Sequence, residues 1–214
     1  MITEQKRLEN KKIFIDYVRE IKREGANIEG LINKLENSDF FEAPASTQYH
    51  GSYRGGLVEH CLNVYHNLDK IVENKGLREL GSEWGISEES IIIVALFHDI
   101  SKMNYYEPYS KNVKVYKTNG SKSDEVGRFD WESVPCFRTR ENRFLYGSHE
   151  QTAEFIIRHY IPLTVEESVA ILNHMGGMSY DSTKLELAPF YNEYPLLTLL
   201  HCADMISTYV DERD

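Results

Sequence analysis

A chain of 214 residues, 41% of them hydrophobic, is long enough for one compact domain with a real core. Its 24 basic residues against 34 acidic ones give a formal charge of −10, which excludes a broad basic surface for non-specific contact with nucleic acid or anionic membrane. No apolar run approaches the roughly 18 residues of a membrane span; residues 1–10 lack the apolar core of a signal peptide; and three scattered cysteines give neither a disulfide framework nor a cysteine-rich zinc site, so a reducing, cytoplasmic setting is expected.

In chain order, Ile13, Phe14, Tyr17, Val18 and Ile21 make one apolar face on a charged segment and predict a helix. Leu31, Ile32 and Leu35 predict a second, short one. Residues 38–56, with Pro44 and the Gly55-Gly56 pair, read as irregular. Val58, Cys61, Leu62, Tyr65, Leu68 and Val72 recur at helical spacing and predict a helix over 57–73. Ser87 suits the N-cap of the next helix, with Glu88 and Glu89 against its positive end. Residues 91–97 are apolar all round, so that helix must be buried.

Residues 104–147 are rich in Tyr, Lys, Arg and Gly. Residues 113–119 and 126–131, around Asn119-Gly120, predict a β-hairpin inserted into the helical domain. Ser148 with Gln151, and Thr164 with Glu167, are capping boxes that open helices over 149–160 and 165–175, the second ended by Gly176-Gly177. Pro195 suits the first turn of a last helix reaching 211. The expected fold is all-α, a helical bundle with a small β-hairpin insert. Residues 1–48 are expected as a helical segment packed on a main domain over 49–214, with an insert or lid at 104–147.

Two helices carry an anomaly. His98 and Asp99 close the most apolar helix, and Asp204 lies in another apolar run, 196–206, on one face with Leu197 and Leu200. A buried carboxylate costs several kcal/mol unless it is paired or binds a metal. Lys102 is the one close cation, and a divalent ion suits both carboxylates better because imidazoles converge with them. His60 follows the Gly-Gly turn, His149 follows the N-cap Ser148, and His174 ends a helix, and helix ends often face clefts. His50, His66, His159 and His201 read as structural or surface groups; His201, three residues before Asp204, reads alternatively as a support to a ligand.

The run Tyr53-Arg54-Gly55-Gly56-Leu57-Val58-Glu59-His60, then Phe97-His98-Asp99-Ile100-Ser101-Lys102, then Leu200-His201-Cys202-Ala203-Asp204, resembles the HD superfamily of metal-dependent phosphohydrolases in its ordered H…HD…D pattern. With His149 and His174 it resembles the two-metal members, H…HD…H…H…D. The first stretch is most similar to the HD domain of YhaM-type 3′–5′ exoribonucleases and to small stand-alone phage and bacterial HD hydrolases. Ser101 stands where the pattern usually has Gly, and residues 1–48 read as helices rather than as the OB domain of YhaM-type enzymes.

The resemblance, over residues 50–211, implies that His60, His98, Asp99 and Asp204 hold a first metal, and that Asp99 bridges to a second held by His149 and His174. Imidazole with carboxylate suits Mn²⁺, Fe, Co²⁺, Ni²⁺ or Zn²⁺. It further implies metal-activated water attacking a phosphoester of a nucleotide or short oligonucleotide, with Asp99 in the catalytic centre and Lys102 neutralising charge on a phosphate oxygen. The alternatives are a 3′–5′ exonuclease on single-stranded nucleic acid, against which the charge of −10 counts, and a non-catalytic HD module that binds a ligand or partner. Tyr53 and Arg54 are candidate substrate contacts; Arg54 reads equally as an ion pair, with Glu59 as its candidate partner. The insert's Lys111, Lys114, Lys117, Lys122, Arg128, Arg138, Arg140 and Arg143 read as a solvated charged face or as a substrate-gripping lid. Tyr105, Tyr106 and Trp131 would stack on a base or form the insert's own core.

Overall fold

A computed structural model describes residues 2–74, 86–176 and 188–213. In chain order these hold α1 (Glu4–Glu20), α2 (Ile28–Glu36), α3 (Gly56–Asn74), α4 (Glu88–Phe97), a 3-10 turn (Ile100–Lys102), β1 (Tyr106–Tyr116), β2 (Lys122–Ser123), β3 (Arg128–Thr139), α5 (His149–Arg158), α6 (Val165–Asn173), α7 (Ala188–Glu193), α8 (Pro195–Ile206) and a π-helical turn (Ser207–Asp211).

The core forms where the apolar faces of the helices meet. Helix α3 packs against α4 and α8, α8 against α6, and α6 against α5. Helix α4 is buried along residues 90–97, as its all-round apolar sequence requires. The N-terminal segment shares this core. Phe14 of α1 meets Phe40, Phe41 and Phe97 at ring-centroid distances of 5.2, 5.8 and 5.7 Å. Beyond α1, Arg23 ties the segment down. It donates to Glu89 at 3.1 Å and to both oxygens of Glu167 at 2.5 and 2.8 Å.

Both capping boxes are present, and they start α5 and α6 where the sequence places them. Ser148 Oγ accepts from the Gln151 amide at 3.2 Å, and Gln151 Oε1 accepts from the Ser148 amide at 2.9 Å. Ser148→Ala should cost about 1 kcal/mol, read as a lower urea midpoint with an unchanged slope. Both helices end earlier than predicted, at Arg158 and Asn173, with His159 and His174 as their C-caps. Gly176 turns at φ +55. Gly177 lies outside the described residues. Helix α7 had no sequence signal, because six residues are too few for a period to register.

The chain is therefore mostly helical rather than all-α. Its hairpin is longer than predicted, paired from Tyr106↔Thr139 to Tyr116↔Phe129, and β2 joins β3 at Lys122↔Phe129 to give the order β1-β3-β2. The strands are largely exposed, so few positions carry an alternating apolar signal. Asn119-Gly120 does not join β1 directly to β3; the Gly120 amide closes a turn on the Lys117 carbonyl at 3.1 Å. Gly120 is needed for close approach: a Cβ there would lie 2.4 Å from the Phe129 backbone nitrogen. The chain reverses again at Asp124, whose Oδ1 accepts from the amides of Val126 and Gly127 at 3.0 and 3.2 Å. Among the described residues, no helix is long and apolar enough to cross a membrane.

Candidate metal centre

Four helix ends or turns bring the candidate ligands together. Gly56 opens α3 against the preceding loop, where a Cβ would lie 2.1 Å from the Gly51 carbonyl oxygen, and His60 follows one turn later. His98 caps α4, and Asp99 sits between α4 and the 3-10 turn. His174 caps α6, and Asp204 lies in the last turns of α8. All five are buried.

Hydrogen bonds settle which ring nitrogen faces inward. His98 Nδ1 lies 2.9 Å from the Ala95 carbonyl oxygen, and His174 Nδ1 lies 2.7 Å from that of Ile171. A carbonyl can only accept, so each Nδ1 carries a proton and each Nε2 is the atom that faces inward. His60 Nδ1 faces the Glu212 carboxylate at 3.1 and 3.2 Å. On the inward side, His60 Nε2 lies 3.3 Å from His98 Nε2, 3.3 Å from Asp204 Oδ1 and 3.7 Å from Asp99 Oδ2. His98 Nε2 is 3.6 Å from Asp99 Oδ2. Ligand atoms of His60, His98 and Asp99 all lie within 4.8 Å of one another, as do those of His98, His174 and Asp204.

The electrostatics describe a site that needs positive charge. Burial works against the charge of Asp99, yet Lys102, His98 and His60 hold its carboxyl well below the usual range. Asp204 is likewise depressed, its burial outweighed by His60, His98 and His174. Burial holds His98 down at about 4 and therefore neutral. Burial would also depress His60, but the hydrogen bonds and charges of Asp204 and Glu212 lift it to about 10. Imidazole nitrogens and two ionised carboxylates aimed at one buried place are a donor set that a divalent transition-metal ion fits, with His60 giving up its Nε2 proton on binding.

The other predicted residues fall in different places. Lys102 lies on the wall of this site, its ammonium 2.6 Å from Asp99 Oδ2. Burial disfavours its charge, and Asp99 more than compensates, raising it above the ordinary lysine range. His149 lies outside the ligand clusters found among the described residues. Its Nδ1 is 3.2 Å from Ser101 Oγ and its ring packs on Tyr105 with centroids 4.5 Å apart. Arg54 does not pair with Glu59. It pairs with Glu42, while the Tyr53 hydroxyl donates to Glu59, and neither Tyr53 nor Arg54 lines the cleft beside the centre.

Four of the eight basic residues named in the insert are matched by acids. Lys114 pairs with Asp124 at 2.6 Å, Lys117 with Glu132 at 2.5 Å, Arg138 with Glu107 at 2.7 Å and Arg140 with Asp39 at 2.9 Å. The Phe129 ring of the insert is buried; Trp131 packs edge-on against it at 5.7 Å but stays 49% exposed, and Lys114 lies over Phe129 at 4.5 Å.

A cleft of about 640 Å³ opens onto the centre, with His60, Asp99, Lys102 and Asp204 in its wall. Tyr49, His50, Met175, Met205, Thr208, Glu212 and Arg213 line the rest. Two of these escaped sequence reasoning. The His50 ring lies 4.9 Å from that of His60, and burial holds it down at about 4; it sits in an irregular segment with no period to mark its direction. Glu212 sits in a polar tail that reads as solvated. The Nδ1 of His201 lies 2.6 Å from the His174 carbonyl oxygen and so fastens to that residue's backbone. No family model, curated protein or solved structure matches the chain.

Proposed function

We propose that this protein is a metal-dependent phosphohydrolase of the HD type, cleaving a phosphoester of a nucleotide or short oligonucleotide. One observation carries the reading: His98 and His174, locked by main-chain bonds, turn their Nε2 atoms with that of His60 toward Asp99 and Asp204 beside an open cleft. His60, His98, Asp99, His174 and Asp204 would hold the ion, and His149 is the additional imidazole for a second. When bound, a divalent cation lowers the pKa of water toward about 7 in a zinc-type site and withdraws charge from a phosphoryl oxygen.

The protein's own side chains supply the rest. With a net charge of −10, attraction of an anion has to be local, and Lys102 and Arg213 are the cations in the cleft wall. Lys102 is held charged beside Asp99, so it meets a phosphoryl oxygen without waiting for a proton. Tyr49, Met175 and Met205 give the remainder of a substrate an apolar wall. Four of the insert's eight named basic residues are neutralised by acids, which with the charge of −10 supports a small substrate over exonuclease action.

The test is metal analysis of the purified protein together with hydrolysis assays on mononucleotides and 5′-labelled oligonucleotides in Mn²⁺. Bound metal and mononucleotide turnover, abolished by EDTA and restored by Mn²⁺, are expected. Full activity in EDTA would overturn the reading. A ladder growing from the 3′ end would replace it with an exonuclease, and bound metal without turnover on any phosphoester would replace it with a binding module.

A further inference from the structure

We infer that Glu212, delivered by the π-helical turn at the end of α8, is a positioning residue for His60. The inference rests on the metal reading above. His98 and His174 are oriented by carbonyls of their own helices, at 2.9 and 2.7 Å. His60 has no such bond: its Nδ1 faces both oxygens of Glu212, at 3.1 and 3.2 Å, a residue 152 positions further along the chain. Of these three imidazoles, it alone depends on a side chain for its orientation.

The turn is built to deliver that side chain. The Glu212 amide donates to the Ser207 carbonyl at 3.0 Å, five residues back, which closes the π turn. The wider turn changes which side chain faces α3. His60, Asn63 and Asn67 share one face of α3 at spacings of three and four. Asn67 Nδ2 donates to Ser207 Oγ at 2.9 Å and to Asp211 Oδ2 at 2.7 Å, fastening the turn. Asn63 Nδ2 donates to Glu212 Oε1 at 2.9 Å. Only 6% of the Glu212 side chain is exposed. A carboxylate buried to that degree needs partners, and here they are one amide and the imidazole.

The consequence is chemical. A carboxylate accepting from Nδ1–H fixes the tautomer and the ring plane and makes Nε2 a better donor to a metal. Glu212 faces Nδ1 of His60, not the Nε2 that meets Asp99 and Asp204. It acts through His60.

Glu212→Gln keeps the shape and removes the charge; Glu212→Ala removes both; Asn63→Ala frees the carboxylate. Co²⁺ is titrated into each metal-free protein and followed by its visible absorption, with circular dichroism to establish folding. Binding should weaken by about 10–100-fold in both Glu212 variants and by less in Asn63→Ala. In the Zn²⁺-loaded wild type, the His60 Nδ1 proton should give a downfield carboxylate-bonded resonance that Glu212→Ala loses, a signal that a merely structural role would leave in place. Wild-type protein that takes up no Co²⁺ would overturn the metal centre itself. Wild-type uptake with folded Glu212 variants binding within twofold of it, or with the resonance unmoved, would overturn the role of Glu212 alone.

Discussion

Asp99→Ala is expected to lose the metal and the hydrolysis together, and to destabilise the fold as well. Among the described residues, Asp99 is the one carboxylate paired within 4 Å with all three of His60, His98 and the Lys102 ammonium, and its side chain is 9% exposed. Losing a group that only supports a metal ligand weakens binding about 10–100-fold, so losing a ligand should cost at least about 100-fold, with activity at limiting metal falling in step. Removing Asp99 also leaves Lys102 as an unpaired buried charge, a loss of about 3–5 kcal/mol.

The two effects separate experimentally. In Asp99→Ala combined with Lys102→Met, the unpaired charge is gone and much of the stability should return, while metal affinity stays lost. Urea unfolding with and without Mn²⁺ gives the readout. An ion at 100 times its Kd stabilises the native state by about 2.7 kcal/mol, a gain wild type should show and both variants should lack. Full metal content in folded Asp99→Ala would sink the ligand assignment.

Arg23→Ala has the second largest expected effect, and it is purely one of stability. Glu167 has no exposed side-chain surface, and Arg23 donates to both its oxygens while also reaching Glu89 and the Pro162 carbonyl. Removing the guanidinium strands a buried carboxylate whose remaining bonds, such as that from the Thr164 amide, are uncharged. The cost is about 3–5 kcal/mol, or roughly 6–20 °C in Tm for a chain of this length. Hydrolysis measured well below the transition should not change, because the pair lies outside the cleft.

The dependence on pH checks the cause. Burial alone would raise the Glu167 pKa, but Arg23 and the hydrogen bonds hold it below the ordinary carboxylate range. A carboxylate depressed by folding stabilises the protein above its unfolded pKa of about 4.3, and that contribution fades as pH falls through the folded value. The gap between wild type and Arg23→Ala should therefore be full at neutral pH and narrow in acid. A gap that stays constant down to pH 3 would mean that lost packing, not the ion pair, is responsible. Arg23→Met with Glu167→Gln should recover much of the loss, since no charge is then left stranded.

Much of the helical framework was legible in the sequence for a local reason. A cap hydrogen bond joins residues three apart, as Ser148 and Gln151 show. An apolar stripe needs only its own helix, as in Phe14 and Val18. Such signals lie within a few residues of the structure they specify. The hairpin was legible in kind but not in extent, because largely exposed strands carry little burial pattern and the chain turns twice, at Gly120 and again at Asp124.

The candidate site was legible as a list of polar groups in apolar helices, since burying His98, Asp99 and Asp204 demands a partner whatever the fold. Their mutual distances were not. They depend on how α3, α4, α6 and α8 cross, and those crossings come from side chains meeting across long stretches of chain.

The amino-acid order by itself determined the helices, their caps, the buried character of α4 and the charged residues that burial makes expensive. Only the tertiary structure decided that Arg54 meets Glu42 instead of Glu59, that His149 turns to Ser101, and that a polar tail carries Glu212 back to His60. The division is one of range. Propensity and capping act over a single turn, whereas a hydrogen bond between residues 152 positions apart exists only once the packed helices have brought its ends together.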